Sequence, residues 1–226
     1  MSTTVIKISG SVFDWNVIGG SLPPLLDLFK RLHNEGHKLI LVAGGGETAR
    51  KYIELGRKIG IDEATLDDIG LKAARLNAEL LVGGLRDFAF PSVPETLDGV
   101  AEAVTGGKIV AVGGFHPGHS TNAVAALIAE KVHANLFVNA TDVDGVYTSD
   151  PKKDVGAKKL ESVSVSELKR MLEHEEMRAG TYELLDLVAL KIVERSDIKT
   201  VVVKCDPNSV QRAVLGRPVG TTITVN

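Results

Sequence analysis

Glycine and small polar residues follow four apolar segments of the sequence, and these residue types are suited to binding phosphate groups. They are Gly10-Ser11, Gly44 to Gly46, Gly113-Gly114 and the segment from Thr141 onward. Glycine lets backbone N–H groups approach a phosphate closely, and a helix that begins there adds partial positive charge. One such loop is weak evidence, because glycine also ends strands for local reasons. Four of them on one sheet edge indicate a polyphosphate site.

Lys7 is a cation within the apolar segment 5–9 (VIKIS), three residues before Gly10. A lysine in such a segment can extend its ammonium group to solvent. Alternatively, it can neutralise the charge on a phosphoryl group during transfer. The glycine loops favour the second interpretation.

Two well-known phosphate-binding loops do not match this sequence. A Walker A loop ends in Gly-Lys-Ser/Thr, which the segment 44–50 (GGGETAR) lacks. A dinucleotide-binding loop needs its third glycine where Ala49 or Arg50 stands. Both types of site are therefore excluded.

The hydrophobic pattern predicts the elements that must position these groups. Predicted strands cover 5–9, 38–43, 108–112, 135–140, 200–204 and 221–225, and predicted helices cover 22–34, 47–59, 67–85, 121–132, 163–172, 182–196 and 208–215. The last strand is expected at the edge of the sheet. Strands separated by long helices imply right-handed crossovers and a mainly parallel sheet covered on both faces. We therefore expect an α/β fold, a three-layer αβα sandwich, with ligands at the carboxyl ends of the strands.

Composition narrows the class of protein. The 226 residues are 44% hydrophobic and 24% charged, which excludes wholesale disorder. No linker or repeat divides them, so we expect a single domain over 1–226. The net charge of −3 does not suit a protein that coats nucleic acid or an anionic membrane, so neither partner is expected. The single cysteine, Cys205, excludes a disulfide framework and suits the cytoplasm.

Three segments resemble the amino acid kinase family: 7–11 (KISGS), 44–50 (GGGETAR) and 141–151 (TDVDGVYTSDP). Within that family, Asp67 and the segment 113–121 (GGFHPGHST) resemble the archaeal-type uridylate (UMP) kinases. The resemblance extends over nearly the whole chain. It implies the amino acid kinase fold and direct in-line transfer of a phosphoryl group from ATP to UMP, a step of pyrimidine nucleotide synthesis. It further implies Mg²⁺ carried by ATP and a homohexamer.

The same resemblance implies a role for each candidate residue. The catalytic candidates are Lys7, Arg50 and Asp142. The ATP-binding candidates are Lys7, Gly10, Ser11, Gly46, Arg50, Thr141, Asp142, Tyr147 and Asp150. The UMP-binding candidates are Gly45, Asp67, Phe115, His116, Pro117, Gly118, His119, Ser120 and Thr121. The acceptor side is expected within about 1–125 and the ATP side within about 126–226.

Several candidates also have ordinary structural interpretations. Asp67 or Asp68 could cap the helix that follows. Asp144-Gly145 is a standard turn pair, so the segment 141–150 could be a turn without further function. Arg50 and Lys191 could be surface residues of their helices. His116 and His119 lack the further ligands of a metal site, so no protein metal site is predicted.

Other functions remain alternatives. Kinases of the same family act on isopentenyl phosphate, carbamate or acetylglutamate, and a storage or regulatory protein could bind nucleotides without catalysis. Isopentenyl phosphate kinases have a histidine at the position of Arg50, which disfavours that substrate. The retention of Lys7 disfavours a protein that only binds. The sequence departs from UMP kinases at Asp142, where asparagine is frequent, and at Leu187, where proline is common.

Overall fold

A seven-stranded β-sheet forms the centre of the molecule in a computed structural model, which describes residues 2–14, 22–149, 154–173 and 185–225. The strands are β1 (Thr3–Ile8), β2 (Lys38–Ala43), β3 (Val110–Val112), β4 (Leu136–Thr141), β5 (Ser162–Ser164), β6 (Thr200–Lys204) and β7 (Thr221–Thr224). The helices are α1 (Leu22–Asn34), α2 (Gly46–Lys58), α3 (Glu63–Leu85), α4 (Leu97–Thr105), α5 (Thr121–Lys131), α6 (Val165–Glu173), α7 (Leu187–Ser196) and α8 (Pro207–Val214). Short 3-10 helices span Gly10–Phe13 and Arg86–Phe88.

The strand order β3-β2-β1-β4-β6-β7-β5 determines which loops meet. The neighbours from β3 to β6 are all parallel, whereas β7 runs antiparallel to β6 and parallel to β5. The carboxyl ends of β1, β2, β3 and β4 therefore share one edge, as the glycine loops predicted. Chain order runs outward from β1 in one direction and onward from β4 in the other, so a ligand crevice is expected between these two strands.

Both faces of the sheet are buried under helices. Side chains alternate along β1, so Val5 packs in a cluster with residues of α5 and α7, whereas Ile6 and Ile8 pack with residues of α1 and α3. Helices of both clusters cover the neighbouring strands in the same way. The predicted three-layer αβα sandwich is confirmed.

Carboxylate and hydroxyl side chains begin most of the helices that border this edge. Ser120 caps α5, Asp186 caps α7 and Asp206 caps α8, each by accepting backbone N–H groups of the first turn. Leu187 is the first residue of α7, a position that proline favours because no intrahelical acceptor is needed there. The leucine leaves that helix intact.

Two further elements correct the expectations for the carboxyl-terminal third. The segment 163–172 is not all helix, because β5 precedes α6. Strand β7 is not an edge strand, because it lies between β6 and β5. Helix α7 begins at Leu187 rather than at residue 182, and residues 182–184 lie outside the described part of the chain.

Helix α3 corrects a prediction about the site. It begins at Glu63, four residues earlier than predicted, and its cap is Asp62, which accepts the N–H of Thr65. Neither Asp67 nor Asp68 therefore caps this helix, and the structural alternative for Asp67 is wrong. Helix α4 was not predicted at all. Among the described helices, none combines the length and apolar character needed to cross a bilayer.

Candidate active site

The glycine loops after β1 and β2 lie in direct contact. A Cβ atom on Gly10 would stand 2.2 Å from the backbone nitrogen of Gly46, and one on Gly46 would stand 2.4 Å from the carbonyl oxygen of Gly10. Gly46 also has a φ of +65°, which residues with a Cβ rarely adopt. Both positions therefore require glycine, and the first turn of α2 starts beside the end of β1.

Lys7 lies on β1 at the strand junction, paired with Val42 of β2 and Asn139 of β4. Burial lowers the pKa of Lys7 below its ordinary value, and the neighbouring Cys205 and Asp142 oppose that change. Burial also raises the pKa of Cys205 to about 11, so its thiol is neutral near pH 7. Asp142 is therefore the group that stabilises the Lys7 ammonium by charge.

Asp142 links the ends of β1 and β4. Its Oδ1 accepts hydrogen bonds from the hydroxyls of Ser9, at 2.5 Å, and Ser11, at 2.6 Å. Ser9 also accepts the N–H of Ser11 and so caps the 3-10 helix that follows β1. The predicted residues Lys7, Ser11 and Asp142 thus meet at the crevice. Ser9 was missed as a site residue, because it was interpreted as the end of a strand.

Arg50 lies on the first turns of α2, beside the glycine loop. Asp14 Oδ1 accepts the N–H of Glu47 at 2.7 Å, and its Oδ2 lies 3.8 Å from an Arg50 guanidinium nitrogen. The Arg50 side chain is 70% exposed, so its guanidinium remains accessible to a ligand. Asp14 was missed, since nothing near it in sequence shows that α2 begins against it.

A cavity of about 400 Å³ brings most of the UMP-binding candidates together. It is lined by Gly45, Gly46, Ala49, Arg50, Ile53, Asp67, Gly70, Leu71, Ala74, Gly114, His116, Pro117, Gly118, His119, Ser120 and Thr121. Helices α2 and α3 supply an apolar wall, and the loop between β3 and α5 supplies polar groups. Phe115 is buried behind this lining. The cavity joins the glycine loop at its inner end.

The loop between β3 and α5 is attached at two points of the cavity rim. Asp67 Oδ2 accepts the backbone N–H of Gly118 at 3.0 Å. The Ser120 hydroxyl donates to Asp186, so the caps of α5 and α7 are joined. His116 and His119 contact each other edge to face, with ring centres 6.5 Å apart.

The ATP-binding candidates after β4 are less closely grouped. Thr141 ends β4, and its carbonyl accepts the N–H of Cys205 at 2.7 Å. The Tyr147 hydroxyl donates to Asp144 at 2.6 Å, and this bond raises the pKa of Tyr147. These contacts join Tyr147 to the turn that contains Asp144. Asp150 lies outside the described residues.

Helix α3 contributes two side chains that the sequence did not single out. The Asn77 amide donates to the carbonyl of Gly44 at 2.7 Å and so fixes the start of the three-glycine loop. The Arg75 guanidinium donates to carbonyl oxygens of the β3–α5 loop. Lys191 is exposed on α7, which agrees with its interpretation as a surface residue.

Comparison with known proteins identifies the family. The model of the amino acid kinase family matches residues 2–204. The chain belongs to this family. Its similarity to other amino acid kinases is strongest in detail among archaeal proteins: it is 49% identical to a uridylate kinase of Metallosphaera sedula over 203 residues, which cover 89% of each chain. It is 45% identical to a uridylate kinase of Sulfolobus acidocaldarius over 222 residues, which cover 97% of each.

Solved structures of amino acid kinases agree with this assignment. The crystal structure of uridylate kinase from Archaeoglobus fulgidus superposes with a TM-score of 0.89 at 37% identity, over 99% of this chain and 100% of that one. The UMP kinase of Bacillus anthracis superposes with a TM-score of 0.81 at 23% identity, a likeness that concerns the fold alone. The predicted amino acid kinase fold is confirmed.

Proposed function

We propose that this chain is a UMP kinase, which transfers the γ-phosphoryl group of ATP to UMP and releases ADP and UDP. The observation that carries this proposal is the cavity of about 400 Å³, which places Asp67 and the loop 116–121 around a space that ends at the glycine loop. Similarity to archaeal uridylate kinases over nearly the whole chain supports UMP as the acceptor.

Direct transfer asks the protein to hold two nucleotides in line and to neutralise the charge on the transferring oxygens. Lys7 is placed for the second task, since its ammonium group lies at the junction of the two halves of the edge. The N–H groups of Gly45 and Gly46 would bind the acceptor and donor phosphates, and Arg50 would approach the same phosphates from α2.

The two nucleotides would occupy different halves of one domain. The acceptor cavity is built by residues from the first 125 positions, and we assign UMP to this side. The strand ends of β4 and β6 lie on the other side of Lys7, and we assign ATP to them together with Thr141, Asp142, Tyr147 and Asp150. Gly10 and Ser11 would then meet the donor phosphates between the two halves.

Mg²⁺ bound to ATP fits the residues at this junction. Asp142 is an exposed carboxylate next to Lys7, and kinases hold Mg²⁺ with one or two carboxylates together with substrate phosphates. Within the described ranges, no group of three or more His, Cys, Asp or Glu side chains could bind a metal unaided, so the phosphates would supply the remaining ligands. The ion would contribute neutralisation of phosphate charge.

The alternative functions are disfavoured by particular residues. An isopentenyl phosphate kinase would have a histidine in place of Arg50. A protein that only bound nucleotides would have no use for a buried cation at the transfer point, since burial opposes the charge of Lys7. Similarity to uridylate kinases also disfavours carbamate and acetylglutamate as acceptors.

A homo-oligomer, a hexamer by resemblance to the family, is part of this proposal. Tyr52, Leu55 and Ile59 on α2, with Leu76 and Leu80 on α3, are each more than half exposed. These helices pack on each other, so their apolar side chains can form one surface for a second copy. Light scattering of the wild type and of Leu55→Glu tests it: the variant should have the lower mass. A cytoplasmic location remains a prediction.

An assay of ADP release tests the activity directly. UMP, CMP, carbamate and isopentenyl phosphate are compared as acceptors at saturating ATP and Mg²⁺. We expect the highest kcat/KM with UMP. Turnover with CMP or a non-nucleotide acceptor, and none with UMP, would contradict the proposal.

A further inference from the structure

Arg75 holds the acceptor loop from behind, without lining the cavity itself. Its Nε donates to the carbonyl oxygen of Gly114 at 3.0 Å, and its Nη2 donates to that of Phe115 at 3.3 Å. Its Nη1 donates to Glu95 at 2.7 Å, which holds the guanidinium from the opposite side. The side chain is only 26% exposed, so these bonds form in a partly desolvated environment.

These bonds determine the direction of two successive peptide groups. The carbonyl and the N–H of a trans peptide point in opposite directions, and the described chain contains no cis peptide. Because the carbonyls of Gly114 and Phe115 turn toward Arg75, the N–H groups of Phe115 and His116 turn away from α3. Within the described residues, neither N–H donates to another protein group. Two oriented donors are therefore left for a ligand.

The same helix holds the other end of the loop. Asp67 lies about two turns before Arg75 on α3 and accepts the N–H of Gly118. One helix thus holds the loop by its carbonyl groups at one end and by an N–H group at the other. Gly113 packs so tightly on α3 that a Cβ there would stand 2.6 Å from the backbone nitrogen of Arg75. The loop has little freedom to shift relative to the helix.

We propose that Arg75 is a positioning residue for the acceptor nucleotide: it sets the conformation of the loop 114–118 and so the affinity for UMP, without contacting the substrate. The proposal rests on the proposed function in the choice of UMP as ligand. Arginine suits this role because its planar fork can serve two carbonyl oxygens and a carboxylate at fixed angles, which the single nitrogen of lysine cannot do.

The test uses Arg75→Met and Arg75→Lys in the full chain. We expect Arg75→Met to raise the KM for UMP roughly tenfold, the loss typical of one charge-assisted hydrogen bond, and to leave the KM for ATP within about twofold. Titration calorimetry should show the same loss of UMP affinity without turnover. Arg75→Lys should lie between the wild type and the methionine variant.

Two controls separate positioning from folding. Glu95→Gln removes the ion pair on the same guanidinium but leaves both bonds to the loop, and Lys72→Met removes an exposed ion pair on the same helix. Both should bind UMP as the wild type does. Amide hydrogen exchange of 113–121 should rise in ligand-free Arg75→Met, while exchange in β1 and β2 stays unchanged.

Two results would overturn the proposal. One is unchanged UMP affinity and unchanged loop exchange in Arg75→Met. The other is an equal loss of affinity for both nucleotides together with faster exchange across the whole sheet, which would make Arg75 a residue of general stability. If the wild type does not phosphorylate UMP, the proposed function fails, whereas exchange of the loop still reports on Arg75.

Discussion

Ser9 and Asp142 are 133 residues apart in sequence, and a hydrogen bond of 2.5 Å from the serine hydroxyl to the aspartate Oδ1 joins them. The bond spans the boundary between β1 and β4, the two strands from which the sheet extends in opposite directions. It thereby holds a carboxylate beside Lys7, whose ammonium group loses hydration through burial. The charge state of Lys7 and the position of Asp142 are therefore coupled.

Replacing Lys7 tests its role in the transfer step. If its ammonium group neutralises charge that grows during transfer, Lys7→Met should lower kcat by roughly a hundredfold, equivalent to about 3 kcal/mol. The KM for UMP should change much less, since the interaction strengthens mainly in the transition state. Steady-state kinetics with both substrates measures this. Lys191→Met, which changes an exposed lysine of α7, is the matched control, and an unchanged kcat in Lys7→Met would make Lys7 an ordinary strand residue.

The pH profile tests the coupling of Lys7 and Asp142. Because burial lowers the pKa of Lys7, the ammonium group is lost at a lower pH than in an ordinary lysine, and kcat/KM should fall there on the alkaline side. The Asp142 charge raises that pKa, so Asp142→Asn should shift the alkaline limb to lower pH. The asparagine oxygen can still accept from Ser9 and Ser11, so the fold should persist. An alkaline limb at the same pH in both proteins would show that Asp142 does not act on Lys7.

The central strands and helices could be predicted because their signals are local. Helix α1 and strands β2 and β6 have the predicted bounds, since each is an apolar or amphipathic segment closed by turn residues. Strand β5 has only three residues, and the apolar spacing of Val165 and Leu168 beyond it is helical, so a single helix was predicted. Helix α4 had a signal that was overlooked: Thr96 caps a segment with Leu97 and Val100 on one face.

The candidate site could be predicted where a residue type itself carries the chemistry, as in Lys7 and the glycine loops. The side chains that hold those loops could not. Arg75 and Asn77 lie inside a long helix, and their partners are carbonyl groups 33 to 40 residues away. Only the packing of α3 against the strand ends brings these groups together, and no spacing within the sequence encodes it.

The close contact of the glycine loops predicts a contrast between two alanine variants. Gly10→Ala places a methyl group 2.2 Å from the Gly46 nitrogen, so the loops must separate, and we expect activity to be lost and the melting temperature to fall. Gly83 is exposed within α3, and a Cβ there meets nothing within 4 Å. Gly83→Ala should therefore stabilise the protein by about 1 kcal/mol through helix propensity alone. Thermal unfolding and the ADP-release assay measure both, and a fully active Gly10→Ala would show that the contact is dispensable.

Asp67 tests the acceptor side, where two roles for one carboxylate give different results. Its Oδ2 accepts the Gly118 N–H, and the asparagine of Asp67→Asn keeps an oxygen for that bond. If holding the loop is its whole role, this substitution should be nearly silent. If the carboxylate also accepts hydrogen bonds from the ribose hydroxyls of UMP, the neutral amide loses about 1.5–3 kcal/mol of charge-assisted interaction. The KM for UMP should then rise roughly ten- to a hundredfold, and the KM for ATP should barely change.

The sugar of the acceptor decides between these roles for Asp67. Deoxy-UMP lacks the 2′-hydroxyl, so the wild type should use it poorly, and Asp67→Asn should narrow the difference between the two acceptors. Asp68→Asn is the matched control, because Asp68 is the next residue of α3 and pairs with Lys72 at 2.7 Å. It should leave both KM values as they are in the wild type. Equal KM values for UMP in the wild type and in Asp67→Asn would remove the carboxylate charge from the binding of the ribose and leave Asp67 as a residue that holds the loop.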